Sequence, residues 1–372
     1  MTTATTTTPP QAPGTEQRGR RRLPALFVRS GTSNGLVLRA SDLPAARREW
    51  DDILPAAMGS PDPTHGRQLD GMGGGASSTS KICVLAPSGR ADADVDFTFV
   101  QVRIRDGALD LAGNCGNMSA AVGPVAWDWG FVAEGEREER VKVRSGSGER
   151  EGGVEGEGQG NEEYREALVR IFNTNTSKIL HARFRVVGDP PVYCPAGSYV
   201  MDGVLGAQSR ITLSFADPAG AKTGRALPTG NAVDVLALPD RSAVRASLVD
   251  VSNPGVFVTL EDLGLGLGNR GLDAFTPAAV EADAELKGRL EMIRRAGAAR
   301  MGLDPDVESV PKIVLLFPRD GAGAGAGAEG VDVRCLAMSM GQAHKAVPLT
   351  LALCLGAAAN IEGTVAAQQC VH

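Results

Sequence analysis

Leu111-Ala112-Gly113-Asn114-Cys115-Gly116-Asn117-Met118-Ser119-Ala120-Ala121 is the stretch on which the reading of this chain turns. Glycines bracket a cysteine and small residues follow, which predicts a sharp turn opening a closely packed helix near Asn117. A helix start presents unpaired N–H groups and the positive end of its dipole, and both favour a thiolate or a bound carboxylate. A cysteine taken at random is more often an inert core thiol. The polar and glycine neighbours favour function here, with Cys115 removing a proton alpha or gamma to a carboxylate. Asn114, Gly116, Asn117 and Met118, which form the turn and the first helical residues, are the candidate substrate-binding positions beside it.

Upstream, Asp70-Gly71-Met72-Gly73-Gly74-Gly75-Ala76-Ser77-Ser78-Thr79-Ser80-Lys81 offers glycines whose amides can converge on one anion, with four hydroxyls as further donors. No Gly-Lys-Ser/Thr follows the glycines, and the strand comes after them, so neither a nucleotide phosphate loop nor a dinucleotide fingerprint is present. Composition alone fits a surface loop equally well. Lys81 leads straight into the apolar strand Ile82–Leu85, which predicts an ammonium drawn into a partly desolvated cleft and suited to proton transfer. Lys81 is the second candidate catalytic residue and Ser77 a candidate donor.

Two short strands, Leu23–Arg29 and Leu36–Arg39, flank the loop Ser30-Gly31-Thr32-Ser33-Asn34-Gly35. Arg29, with a guanidinium that matches a carboxylate in two-point geometry, and Thr32 and Ser33 join the candidate binding residues. His344 and Lys345, in Gly341-Gln342-Ala343-His344-Lys345 before the last helix, repeat the pairing of helix amides with a cation and are candidates for a second carboxylate across a cleft. Cys83, Cys335 and Cys354 lie in apolar segments and read as core.

Strands are expected over 95–104, 211–215, 244–251, 256–260, 313–317 and 331–338, with Asn253-Pro254-Gly255 as a turn. Helices are expected over 44–58, 278–301 and 349–359, Pro348 being tolerated at the start of the last one. Each half runs from strands through a glycine-marked turn into a small-residue helix, the pattern of a duplicated α+β unit. No residue-by-residue repeat is legible. Residues 1–22, rich in Thr, Pro and Arg, read as a disordered tail, and 134–163 and 321–330 as flexible insertions too polar or glycine-rich to bury a core. The expected domains are 23–190 and 191–372.

With 372 residues and 42% hydrophobic content, the chain can bury a sizeable core, and its length suggests two domains. A net charge of −6 supplies no basic field for nucleic acid. Six cysteines without Cys-x-x-Cys spacing read as reduced thiols, and four histidines without ligand spacing predict no metal. No apolar run is long enough to cross a bilayer. The expectation from the residues is a cytoplasmic protein acting on a small polycarboxylate without nucleic acid or membrane, with a homodimer as the expected assembly. A mitochondrial leader is the weaker reading of the N-terminus, because Pro9, Pro10 and Pro13 break an amphipathic helix.

The segments 29–35, 70–75 with Ser80-Lys81, 113–118 and 341–348 together resemble the PrpF family. So do Asn173-Thr174-Asn175-Thr176, Asp217-Pro218-Ala219-Gly220, Leu227-Pro228-Thr229-Gly230-Asn231 and Asn253-Pro254, in order over about residues 23 to 368. The resemblance implies a diaminopimelate-epimerase-like α+β fold, two similar domains each with a curved, mostly antiparallel sheet around a central helix and the active site between them. It also implies cofactor-independent isomerisation of methylaconitate, methylitaconate, aconitate or oxalomesaconate, with Lys81 and Cys115 as the acid/base pair. Members usually carry glycine at Ser30 and often a basic residue at Asn34, which implies altered substrate selection at that loop. They also continue with further strands past the segment matching Gly363-Thr364-Val365, so an incomplete second domain is expected. A non-catalytic binding homologue on the same scaffold is the alternative reading.

Overall fold

A helix that is apolar or small on every side must be buried on every side, and the segment after Cys115 is of that kind. The computed structural model describes residues 22–145, 163–265, 272–318 and 331–370. In its first half, β1 (Leu26–Ser30) and β2 (Ser33–Arg39) form a hairpin, α1 (Trp50–Met58) crosses over, and β3 (Lys81–Pro87), β4 (Val95–Val102) and β5 (Leu109–Asp110) follow. Then come α2 (Gly116–Asp128), α3 (Glu134–Arg140), β6 (Val141–Ser145), β7 (Glu163–Asn173), β8 (Lys178–Val187) and β9 (Val192–Tyr193). A small hairpin of β10 (Tyr199–Val200) and β11 (Ala207–Gln208) precedes β12 (Ile211–Phe215). The sheet runs β1-β2-β3-β4-β7-β8-β12 and curls around α2, which touches β1, β2, β3, β7, β8, β9 and β12. Met118, Val122, Ala126 and Trp127 of α2 are fully buried against Cys83, Leu85, Phe97, Ile171 and Phe184.

The second half holds β13 (Asp234–Ala237), β14 (Ala243–Val251), β15 (Asn253–Thr259), α4 (Pro277–Ala282), α5 (Ala284–Arg300), β16 (Lys312–Leu316), β17 (Cys335–Ser339) and β18 (Gln342–Ala343), paired in that strand order. It closes with α6 (Leu349–Ala359) and α7 (Val365–Gln369).

The duplication becomes explicit in three dimensions. In each half an antiparallel hairpin leads to a parallel neighbour through a helical crossover, and an antiparallel strand follows: β1-β2-α1-β3-β4 and β14-β15-α4-α5-β16-β17. Parallel pairing demands such a crossover. Alternation sends Cys83 and Leu85 to α2 and Ile82 and Val84 to α1, while Val314 and Leu316 face α6 and Ile313 and Leu315 face α5. In equivalent register the strands then read Lys81-Ile82-Cys83-Val84-Leu85 against Lys312-Ile313-Val314-Leu315-Leu316, and Ser33-Asn34-Gly35 against Asn253-Pro254-Gly255. This is the repeat that was not legible along the chain.

Several expectations need correcting. A boundary at 190/191 cuts the first sheet, because the chain returns after Pro190-Pro191 to pair β9 and β12 with β8. Of the expected insertion 134–163, residues 134–145 form α3 and β6, the latter paired with β7, which gives Val141 and Arg140 packing and ion-pair partners; 146–162 lie outside the described residues, as do 1–21 and 321–330. Asn253-Pro254-Gly255 is strand, the turn being made by Ser252 with positive φ. The helix expected over 278–301 breaks at Asp283, whose carboxylate caps Leu286 N–H.

Candidate active site

Two helix N-termini meet where the halves face each other. Cys115 is the N-cap residue of α2 and Pro348 that of α6, and neither end has a side-chain cap. Thr276, Asp283 and Thr364, by contrast, cap α4, α5 and α7. Uncapped first-turn amides keep their N–H groups for another acceptor. The approach is close: a Cβ on Gly116 would lie 2.5 Å from Leu349 Cδ2, so only glycine lets the helix ends converge. Thr350 Oγ1 donates to the Asn114 carbonyl at 3.5 Å across the same seam.

The cleft there encloses about 600 Å³, counting its open mouth. Thr32, Ser33, Ser77, Lys81, Asn114, Cys115, Gly116, Asn117 and His344, all predicted from sequence, line it. Cys115 is half-buried, with Ser33 Oγ 3.9 Å from its sulfur. Asn117 Nδ2 donates to Thr32 Oγ1 at 2.8 Å, tying the β1–β2 turn to α2. Lys81 is 8% exposed and donates to Gln101 Oε1 at 2.7 Å, with the Phe99 ring 5.1 Å away. Gln101 is fixed in turn by donating to the Ser77 and Ser80 carbonyls. The close approach of β2 and β3 requires glycine at Gly35, where a Cβ would lie 2.2 Å from Lys81 O.

Three predicted residues fall outside the lining. Met118 points into the core behind Cys115, as the inward-facing third residue of α2. Arg29 is exposed on the edge hairpin, opposite in alternation to buried Ser30, and among the described residues its Nε donates only to Gly31 O. Lys345 is exposed in the loop before α6, so the cation expected beside His344 is not there. The glycine-rich loop is not an open anion nest either. Its amides at Gly71, Met72 and Gly73 bond to Gln68, Ala57 and Met58 carbonyls, and Gly75 N–H to Gln68 Oε1, so only Ser77, Ser78 and Lys81 reach the cleft.

The cation missed in the sequence is Lys312, 7% exposed, whose ammonium donates to Ser309 O at 2.7 Å. Burial, and then the charge of Lys81, push it down to about 8, with Cys115 and Asp110 opposing. His344 is held neutral, down at about 4, by burial and by the two lysines, and its Nε2 has no hydrogen-bond partner among the described residues. The signal that could have found Lys312 is the one used for Lys81, a lysine opening an apolar strand. Among the described lining residues there is no Asp or Glu, although the chain as a whole is negative. The arrangement can hold a polyanion beside a thiol and an amine.

The curved sheets, their helices and the cleft between duplicated halves are the architecture of the epimerase-like α+β fold that the resemblance implied. Residues 20–150 and 161–371 match the family described as PrpF protein, and the chain belongs to that family. It is 34% identical over 360 residues to the 3-methylitaconate isomerase of Eubacterium barkeri, covering 93% of this chain and 84% of the relative. It is 36% identical over 351 residues to the 4-oxalomesaconate tautomerase of Pseudomonas putida, covering 94% and 82%. The crystal structure of methylitaconate-delta-isomerase, 34% identical, superposes with a TM-score of 0.65 over 94% of this chain and 83% of that one. The chain is accordingly an isomerase with the fold that the resemblance implied. No helix among the described residues is long and apolar enough to cross a membrane.

Proposed function

We propose that this isomerase moves a proton between carbons one and three of an allylic unit in an unsaturated di- or tricarboxylate, of the aconitate, methylaconitate, methylitaconate or oxalomesaconate class. The observation that carries this is the acid-free cleft in which two buried lysines and two uncapped helix ends surround one half-buried thiol. Lys81 and Cys115 are the acid/base pair. One takes a proton from the allylic carbon, and the electron pair flows through the double bond into the adjacent carboxylate. The α2 amides and Asn117 stabilise the resulting enolate-like oxygens. The other group delivers a proton at the far carbon, so the double bond shifts and nothing is gained or lost. Each turnover exchanges the protonation states of the pair, and proton exchange with solvent resets them before the next forward turnover. Ser33, beside the sulfur, and Gln101, on the ammonium, orient the two groups. The free thiols fit a reducing compartment, the cytoplasm in this reading.

The test is NMR in deuterated water on a panel of unsaturated di- and tricarboxylates. A shifted double bond with deuterium at the newly protonated carbon is expected for at least one of them. Wild-type protein that shifts no double bond and exchanges no C–H in any member sinks the reading.

A further inference from the structure

Lys81 and Lys312 occupy equivalent places, each the first residue of a buried inner strand of its half, paired in parallel to the second strand of the hairpin. Both line the same cleft. Each ammonium carries three N–H donors, and each has a single protein acceptor among the described residues, Gln101 Oε1 for Lys81 and Ser309 O for Lys312. Two buried cations facing one acid-free cavity repel each other, an arrangement that is stable only with anionic oxygens to fill the remaining donors. Beside Lys312 stand the Nε2 of His344, which has no partner among the described residues, and the uncapped N-terminus of α6. The loop that presents Lys312 is anchored to the other half, because Ser309 Oγ donates to Asp110 Oδ1 at 2.8 Å.

We propose that Lys312, with His344 and the first amides of α6, anchors a second substrate carboxylate across the cleft from the Lys81–Cys115 pair and thereby selects polycarboxylates over monocarboxylates. The assignment rests on the function proposed above and adds its specificity determinant. The groups facing Lys312 are Lys81 from β3, Cys115 from the α2 end, Asp110 from β5 through Ser309, and His344 from the loop after β18, with Glu281 of α4 behind the histidine. Only the charged form of Lys312 anchors a carboxylate. Binding is therefore strongest below its value of about 8 and weakens as pH rises through it.

Calorimetric titration of full-length protein with propane-1,2,3-tricarboxylate and with butanoate, one pH unit either side of that value, tests this without relying on turnover. Lys312→Met should weaken the tricarboxylate about 10- to 100-fold, the loss of one charge-assisted pair, and butanoate within about threefold. Lys312→Arg should recover part of the loss. The wild-type weakening at high pH should vanish in Lys312→Met, and with a turned-over substrate KM should rise far more than kcat falls. Unchanged tricarboxylate affinity in a folded Lys312→Met, or equal loss for both probes, overturns the proposal. If Lys312→Met does not fold, the wild type decides: tricarboxylate affinity that is flat across pH, or that falls in step with butanoate, overturns it. Wild-type protein that binds the tricarboxylate but turns nothing over removes the isomerase mechanism and leaves the anchor standing. Failure to bind it at all removes both.

Discussion

The same frame is built twice in this molecule, and the two copies spend it differently. In the first half α2 is enclosed by the curled sheet, with buried residues around its whole circumference, and the thiol sits at its rigid end. In the second half α6 packs on β14, β15 and α7, and Leu353 on its outer side is 42% exposed. The lysines differ in the same sense. Lys81 is held by a side-chain amide that is itself doubly bonded, whereas Lys312 hangs from the carbonyl of a loop latched to the opposite half. Under the proposed mechanism the difference is a division of labour: the more enclosed half carries the groups assigned to meet a reacting carbon, and the less enclosed half carries the group assigned only to hold a charge.

The sharpest way to break that comparison is at the first-half pair. Cys115→Ala and Lys81→Met should each lower kcat by about 10²- to 10⁴-fold, the range for a lost general acid or base, in a steady-state assay on the accepted substrate. Full turnover in either variant removes the division of labour. Packing comes next. Met118→Ala, at a fully buried position, should cost about 2–5 kcal/mol in denaturant unfolding. Leu353→Ala, on the outer side of α6, should stay within about 0.5 kcal/mol. Equal losses would mean that the two central helices are equally enclosed.

His344 gives an acid-side test of the second half. Its folded value of about 4 lies below the ordinary 6.5, so its contribution is fully present above 6.5 and is lost as pH falls from there towards 4. His344→Asn should therefore flatten the decline of stability over that window, by an amount on the order of 2 kcal/mol. A wild-type decline unchanged in the variant would place the titration elsewhere. The smallest expected effect is at the latch. Ser309→Ala removes one hydrogen bond to Asp110, which still accepts from Ala112 N–H, and should cost about 1 kcal/mol with a severalfold loss of tricarboxylate affinity. No change in affinity would separate the latch from Lys312.

Cys115 and Lys81 were legible in the sequence because their neighbours are local: glycines and asparagines at a helix start, and an apolar strand beginning at a lysine. Asn117 followed from the Cys115 turn, and Thr32 and Ser33 from the loop between the first two strands. Arg29, Met118 and Lys345 were misread because motif membership says nothing about which way a side chain points; strand alternation turns Arg29 out, helical phase turns Met118 in, and the loop before α6 leaves Lys345 in solvent. Lys312 was missed although its local signal equals that of Lys81.

By itself the sequence determined the alternation of the strands, the small-residue helix after Gly116 and an α+β fold, and it singled out a thiol and an amine as the candidate reactive groups. These depend on patterns a few residues long, where backbone geometry dictates what comes next. Only the tertiary structure decided that the two lysines, 231 positions apart by number, open equivalent strands onto one cavity without a carboxylate. Such a meeting depends on two crossovers and on glycine-mediated contact between helix ends, which bring together charges that no local stretch of chain contains.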